Sequence, residues 1–210
     1  MSIERPAVVV LHGVWLRGTE TWPLRRSLRA AGYDVTLFRY RSVTADLQAN
    51  AARLAEFLAQ RADSSVHLVG HSLGGVVILE ALARHSIACG RIVCLGSPLN
   101  GSGAATAIAA WPSGLRIIGK SLEEALARGA PVAPAGSDIG IIAGSRSFGT
   151  GRFFGKLSAP NDGTVTVAET MLAGASDHIV LPVSHIAMLW SPTVIRQVRS
   201  FLAEGKFRRD

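Results

Sequence analysis

The chain has 210 residues, of which 48% are hydrophobic and 18% charged, a composition that suits one globular domain and excludes a disordered chain. No apolar run reaches the roughly 18 residues of a membrane span, and the N-terminal MSIERPAVVV lacks the basic start and cleavage site of a secretory signal, so we expect a cytoplasmic protein without an integral membrane segment. The net charge of +7 is explained by solubility and a basic segment at 206–209, with attraction to anionic surfaces or substrates as the alternative.

Short apolar runs alternate with helical patterns along the whole chain. The runs predict strands at 7–13, 33–40, 66–70, 91–97, 138–145 and 178–184. Apolar residues at helical spacing, with caps and stops, predict helices at 21–32, 45–61, 73–85 and 191–204. Two segments rich in glycine and small residues, 98–137 and 146–164, break this pattern, and the first contains a helical stretch near 121–127.

Strands that are continuously apolar and separated by helices are typical of a parallel sheet covered on both faces. The sequence therefore predicts a single α/β domain with a mostly parallel sheet of about six strands. Right-handed crossovers bring the C-terminal ends of all strands to the same end of the sheet, where ligand sites form in such folds. We call this the carboxyl end of the sheet, and the opposite one the amino end.

The pattern G-x-S-x-G stands at residues 70–74, between a predicted strand and a predicted helix. This is the strand–turn–helix setting in which the serine of the motif acts as a nucleophile, which makes Ser72 the candidate. A serine hydroxyl needs a base to take its proton. Without such partners, the motif is only a tight turn with an idle serine.

The best candidate for the base is His185, in LPVSHIAML after the last predicted strand. His71 adjoins Ser72 but is expected to point away from it. The remaining histidines begin strands, end a helix or precede the first turn: His12, His67, His85 and His178. The alternative for His185 is a loop histidine with no chemical role.

The third group should be a carboxylate that fixes the imidazole tautomer, and it should stand between the serine and the histidine in the chain. Asp162, in the turn PNDGTV, follows a strand and is the best candidate, although a plain turn aspartate is the alternative. Asp138 and Asp177 precede strands and so lie at the amino end. The glutamates in this interval are Glu80, Glu123, Glu124 and Glu169, and we expect Glu123 and Glu124 to be solvated on a helix.

An oxyanion that develops during such a reaction needs backbone donors aimed at it. The amide of Leu73, at the start of its helix, is one candidate. The amide of Val14, in LHGVW after the first strand, is the second. The alternative for this loop is a simple turn at the end of a strand.

The motifs LHGVW, GHSLGG, LGSPLNGS, PNDGTV and LPVSHIAMLWSP, in this order, resemble those of the α/β-hydrolase superfamily, in particular its small bacterial lipases and esterases with little or no lid, and related cytoplasmic hydrolases. The resemblance implies a Ser72–Asp162–His185 triad, with the Val14 and Leu73 amides as the oxyanion hole. It implies hydrolysis of a small-molecule acyl ester through an acyl-enzyme, without a cofactor. The long loop before Asp162 departs from the family pattern.

Aromatic residues near the predicted carboxyl end are candidates for an acyl pocket walled by 98–137 and 146–158: Trp15, Phe148, Phe153, Phe154 and Trp190. Packing beneath the loops is the alternative for each. A chain of this length leaves no room for a large cap, so we expect an open site and short to medium acyl chains. A thioesterase or acyltransferase would use the same triad. The alternative outside the enzymes is a non-catalytic binding protein with a hydrolase fold.

The other chemistry-bearing residues do not indicate a metal or nucleic-acid site. Cys89 and Cys94 are interpreted as reduced thiols in or near the core. No cysteine and histidine group has the spacing of zinc ligands. The arginines are scattered and no nucleic-acid-binding motif accompanies them.

Overall fold

The computed structural model describes residues 5–61, 65–127, 132–148 and 157–209. Its centre is a six-stranded sheet in which every neighbouring pair is parallel, with the order β2-β1-β3-β4-β5-β6. The strands are β1 Ala7–Leu11, β2 Asp34–Phe38, β3 Val66–His71, β4 Ile92–Leu95, β5 Ile139–Gly144 and β6 Asp177–Leu181. The predicted α/β fold with a parallel sheet is thereby confirmed.

Helices cover both faces of this sheet. They are α1 Trp22–Ala30, α2 Leu47–Ala59, α3 Leu73–Arg84, α4 Gly103–Ala109, α5 Gly114–Ile118, α6 Lys120–Ala127 and α7 Pro192–Glu204. Alternate residues of β1 enter different cores: Val8 and Val10 pack with α1 and α7, whereas Val9 and Leu11 pack with α2 and α3. This two-residue alternation, buried on both sides, explains why the strand sequences are apolar throughout.

The ends of two long helices follow their capping residues. The Asp46 side chain accepts a hydrogen bond from the Ala49 amide at 2.7 Å, so α2 begins at Leu47 rather than at residue 45. Pro192 occupies the first turn of α7, as predicted.

The segment 98–137 is more helical than the sequence indicated. The prediction covered only the stretch near 121–127, yet α4 and α5 precede it. Ser102 caps α4 by accepting a hydrogen bond from the Ala105 amide. Alanines favour helix, and the glycines between them divide the segment into short pieces.

One side chain in this segment has a role that the sequence analysis missed. Glu124 was expected to be solvated, but its carboxylate accepts hydrogen bonds from the amides of Leu47 at 2.7 Å and Gln48 at 3.3 Å. A negative charge at a helix N-terminus is favourable. Glu124 therefore fastens α6 to the start of α2.

None of the helices in the described ranges combines the length and the apolar character needed to cross a bilayer.

Candidate active site

Ser72 lies between the end of β3 and the start of α3 in a conformation that L-residues rarely adopt, with φ 54° and ψ −121°. Two glycines leave room for this sharp turn. A Cβ atom on Gly70 would lie 2.4 Å from the Gly75 nitrogen, and one on Gly74 would lie 2.8 Å from the Leu11 carbonyl oxygen. The strand–turn–helix geometry expected from G-x-S-x-G is therefore present.

Asp162 and His185 form a buried pair at the same end of the sheet. The Asp162 Oδ2 atom is 2.7 Å from His185 Nδ1, and the two residues are 0% and 6% exposed. The other carboxylate oxygen accepts hydrogen bonds from the amides of Thr164 and Val165 at 2.9 and 2.7 Å. An ionised carboxylate can only accept a hydrogen bond, so this contact requires the proton on Nδ1 and places the acceptor lone pair of a neutral imidazole on Nε2.

The backbone reinforces this pair. The His185 amide donates to the Asp162 carbonyl oxygen at 3.0 Å, so the two loops are joined by main-chain and side-chain hydrogen bonds together. The imidazole thus has a fixed tautomer and a fixed orientation.

Two glycines that the sequence analysis did not single out make space for the pair. Gly96 follows β4 with φ 52°, and a Cβ atom there would lie 3.1 Å from both Asp162 Oδ2 and His185 Nδ1. Gly144 ends β5, and a Cβ atom there would lie 2.7 Å from Asp162 Cβ. Their position at the ends of apolar strands was the available signal, but only the fold shows what they face.

His71 contacts His185 but is not itself a candidate base. Its ring centroid is 4.8 Å from that of His185, and its Nε2 lies 3.1 Å from the His185 carbonyl oxygen. Burial, followed by the proximity of His185, lowers the pKa of His71 to about 3. The neutral ring therefore donates its Nε2 proton to the carbonyl and holds the His185 backbone.

The loop after β1 lies directly against Ser72. A Cβ atom on Gly13 would be 3.2 Å from both Ser72 Cβ and His71 Nδ1. Val14 follows Gly13, and Leu73 follows Ser72. The two residues predicted to supply oxyanion donors thus lie on the two segments that meet at the serine.

Tyr40 holds this loop and was not identified from the sequence. Its hydroxyl donates to the His12 carbonyl oxygen at 2.6 Å, and its ring stacks on the His12 ring with centroids 4.4 Å apart. Burial raises the pKa of Tyr40 well above its usual range, so the hydroxyl remains a donor at neutral pH. The carbonyl before Gly13 is fixed as a result.

The predicted pocket aromatics that are described are all well exposed. Trp15 donates its indole N–H to the Ile117 carbonyl of α5 at 2.7 Å, and Trp190 donates to the Glu20 carbonyl at 2.9 Å. Phe148 is 78% exposed. Phe153 and Phe154 lie outside the described residues, and the assignment of these aromatics to an acyl pocket stays a prediction.

The cysteines and the potential metal ligands do not contribute to the site. Cys89 and Cys94 are free thiols, and burial raises the pKa of Cys94 to about 12. Within the part of the chain that the structure describes, no three His, Cys, Asp or Glu side chains are grouped so as to hold a metal ion.

Comparison with solved structures shows the same fold in bacterial enzymes. The mature lipase BlEst2 of Bacillus licheniformis superimposes with a TM-score of 0.76 at 20% identity, over 97% of this chain and 93% of that one. A metagenomic carboxyl esterase gives 0.65 at 20% identity, over 90% and 67%. The carboxylesterase CesB of Bacillus subtilis gives 0.60 at 13% identity, over 97% and 85%.

No curated protein matches the sequence itself. The model of the alpha/beta hydrolase family, in contrast, matches residues 8–202, from the first strand to the last helix. The chain therefore belongs to the alpha/beta hydrolase family.

Proposed function

We propose that this protein is a carboxylic ester hydrolase that forms an acyl-enzyme on Ser72. The observation that carries the proposal is the buried Asp162–His185 hydrogen bond of 2.7 Å at the sheet end where Ser72 occupies its strained turn. A hydrogen-bonded acid and imidazole at the same sheet end as a strained serine are the components that activate a hydroxyl nucleophile. Three structural neighbours described as a lipase, a carboxyl esterase and a carboxylesterase support the choice of ester.

In the acylation half of the reaction, the Ser72 oxygen attacks the ester carbonyl carbon while its proton passes to Nε2 of His185. Asp162, which accepts from Nδ1, stabilises the imidazolium that forms. The C–O bond to the alcohol then breaks, and the departing oxygen takes the proton from His185. Water repeats the sequence on the acyl-enzyme, which releases the carboxylic acid and restores the Ser72 hydroxyl.

The tetrahedral oxyanion in each half is assigned to the backbone amides of Leu73 and Val14. Leu73 is the first residue of α3, where helix N–H groups are unpaired and the helix dipole favours negative charge. The close approach of Gly13 to Ser72 supports the Val14 assignment, because Val14 is the next residue of the same loop. Each such donor contributes on the order of 100-fold to 1000-fold in rate.

The substrate class is tested with p-nitrophenyl acetate, butyrate, octanoate and palmitate beside matched acyl thioesters, with Ser72→Ala as the blank. We expect turnover of the short and medium esters, a burst of p-nitrophenol equal to one per active site, and no turnover by the blank. Faster turnover of thioesters would assign the same residues to a thioesterase. Turnover of no substrate above the blank, by folded protein, would contradict the proposal.

A further inference from the structure

All four tryptophans of the chain are exposed: Trp15 by 59%, Trp22 by 56%, Trp111 by 48% and Trp190 by 54%. Tryptophan is usually among the well-buried side chains, so this is an unusual distribution. Each of the four also stands between the carboxyl end of a strand and the strand or helix that follows: Trp15 after β1, Trp22 at the first residue of α1, Trp111 between α4 and α5, and Trp190 before α7. We call these four residues the tryptophan rim.

Two indoles of the rim present only apolar atoms to the outside. The N–H groups of Trp15 and Trp190 are already satisfied by the carbonyls of Ile117 and Glu20. Moving these rings out of water therefore breaks no hydrogen bond to solvent, and the burial of their carbon surface is favourable.

The backbone of Trp15 has a conformation that is unfavourable for a bulky residue, which indicates a role for its side chain beyond folding. Its φ is 63°, and it is one of two non-glycine residues with positive φ in the described ranges, the other being Ser72. Glycine would relieve that strain, because it adopts positive φ without a steric penalty from a Cβ atom. A large aromatic side chain is thus held outward where the fold itself favours glycine.

Exposed cations stand among the rim residues. Arg17 follows the Trp15 turn, Arg39 follows β2, and Arg116 lies on α5 beside the exposed Leu115. These three arginines form no ion pair with any residue in the described ranges. The Arg26 guanidinium lies 5.6 Å from the centroid of the Trp22 ring.

Three acids at the same end are hydrogen-bonded to backbone amides. Asp46 accepts from the Ala49 amide, Asp162 from the Thr164 and Val165 amides, and Glu169 from the Thr166 amide. The exposed arginines at this end are thus interleaved with aromatic rings.

We propose that the carboxyl end of the sheet docks on an anionic phospholipid bilayer. Tryptophan rings prefer the headgroup level of membranes, and arginines nearby bind lipid phosphates. The ester hydrolysis proposed above does not require docking, and the two ideas succeed or fail separately because docking is measured without turnover. Docking brings the sheet end that carries Ser72 to the lipid, which supplies acyl groups locally.

The first test uses the wild-type protein with vesicles of phosphatidylcholine alone and of phosphatidylcholine with phosphatidylglycerol. We expect co-sedimentation with the anionic vesicles to exceed that with neutral ones by ~10-fold and to fall with added salt. Because every tryptophan is on the rim, the intrinsic emission should shift to the blue only when vesicles bind. No preference for anionic vesicles, or unchanged emission, would overturn the proposal.

Variants locate the surface. Trp22→Ser and Arg116→Glu should each weaken vesicle binding several-fold, whereas Trp22→Phe should retain most of it. Arg53→Glu, an equal charge reversal on the exposed side of α2, is the matched control and should leave binding less affected than Arg116→Glu. Equal losses for the two arginine variants, or duplex DNA bound as tightly as vesicles without a blue shift, would instead indicate general attraction to polyanions and would contradict docking on lipid.

Discussion

The two ends of the sheet contain the same kinds of charged side chain and use them in opposite ways. At the amino end, Asp138 pairs with Arg91 at 2.9 Å, and Asp177 pairs with Arg209. Both pairs keep part of their contact with water, since the Asp138 side chain is 40% exposed and the Arg209 side chain 59%. At the carboxyl end, Asp162 is removed from water altogether and its partner is a histidine.

This difference separates two uses of a carboxylate. A solvated ion pair adds a modest amount to stability and places few demands on its neighbours. A buried carboxylate must have its oxygens satisfied, and Asp162 receives hydrogen bonds from Thr164, Val165 and His185. Such a costly arrangement is more common at functional sites, and this environment distinguishes Asp162 from the acids at the amino end.

The largest expected effect is the loss of the Ser72 hydroxyl. Ser72→Ala should lower kcat by ~10,000-fold or more, because no nucleophile remains. The free energy of unfolding should change little, since the alanine retains the Cβ atom. Kinetics on the preferred ester and urea unfolding measure the two quantities. Retention of more than a small fraction of the activity would mean that another group forms the covalent intermediate.

The contrast between the sheet ends is tested directly by one substitution at each. Asp162→Asn should reduce kcat by ~1000-fold to 10,000-fold, because the amide no longer fixes the Nδ1 proton or stabilises the imidazolium. Asp138→Asn, the same change at the amino end, should leave kcat within about two-fold. Comparable losses in the two variants, measured on protein with equal far-UV circular dichroism, would remove the distinction.

Gly96→Ala should have a smaller effect on the rate. The added methyl group would lie 3.1 Å from Asp162 Oδ2 and His185 Nδ1, and the alanine would have to adopt a positive φ. We expect a loss of about 10-fold in kcat and about 1 kcal/mol in the free energy of unfolding. Gly32→Ala also places alanine at a positive φ, of 94°, but with open space around its Cβ position, and serves as the control. It should share the stability loss and keep kcat.

The buried His71 should make the protein sensitive to mild acid. Burial, and after it the neighbouring His185, lower its pKa from 6.5 to about 3 on folding. Asp162 and His12 also lie close enough to affect this pKa. Below pH 6.5 the unfolded chain takes up this proton and the folded chain does not, so stability falls by roughly 1 kcal/mol per pH unit down to about pH 3.

His71→Gln has no titrating group and keeps an amide donor for the His185 carbonyl. Its urea unfolding curves at pH 7 and pH 5 should therefore differ less than those of the wild type. An equal pH dependence in the two proteins would mean that His71 is protonated in the folded state.

The smallest expected effect comes from the Asp177–Arg209 pair at the amino end. Three groups lower the pKa of Asp177, led by the Arg209 side chain and followed by the Phe207 and His178 amides. The stability that this supplies is present above the unfolded pKa of about 3.9 and is lost as pH falls below it. Asp177→Asn should narrow the difference in thermal midpoint between pH 6 and pH 3, and added salt should reduce the gap further.

The sequence was sufficient for features that depend on local pattern. Apolar runs located all six strands, and the motif around Ser72 located the turn between β3 and α3. His185 and Asp162 followed from their positions after strands, because parallel strands bring such positions to one end. Their hydrogen bond agrees with that reasoning.

Features that depend on contacts between distant segments were missed. Gly96, Gly144 and Tyr40 matter because of what other strands and loops place against them, and no local pattern records this. The helices α4 and α5 were missed for another reason: the glycines and small residues of their segment are equally typical of loops. Ser102, three residues before the Ala105 amide that it caps, was a usable signal for α4.

The central claim is that Ser72 is the nucleophile activated by Asp162 and His185. It is tested most directly by reacting the folded protein with a fluorophosphonate and locating the adduct by peptide mass spectrometry. We expect one adduct per chain, on the peptide that contains Ser72, formed much more slowly by Asp162→Asn and absent in Ser72→Ala. A folded wild-type protein that stays unmodified, or an adduct on a different serine, would contradict the claim.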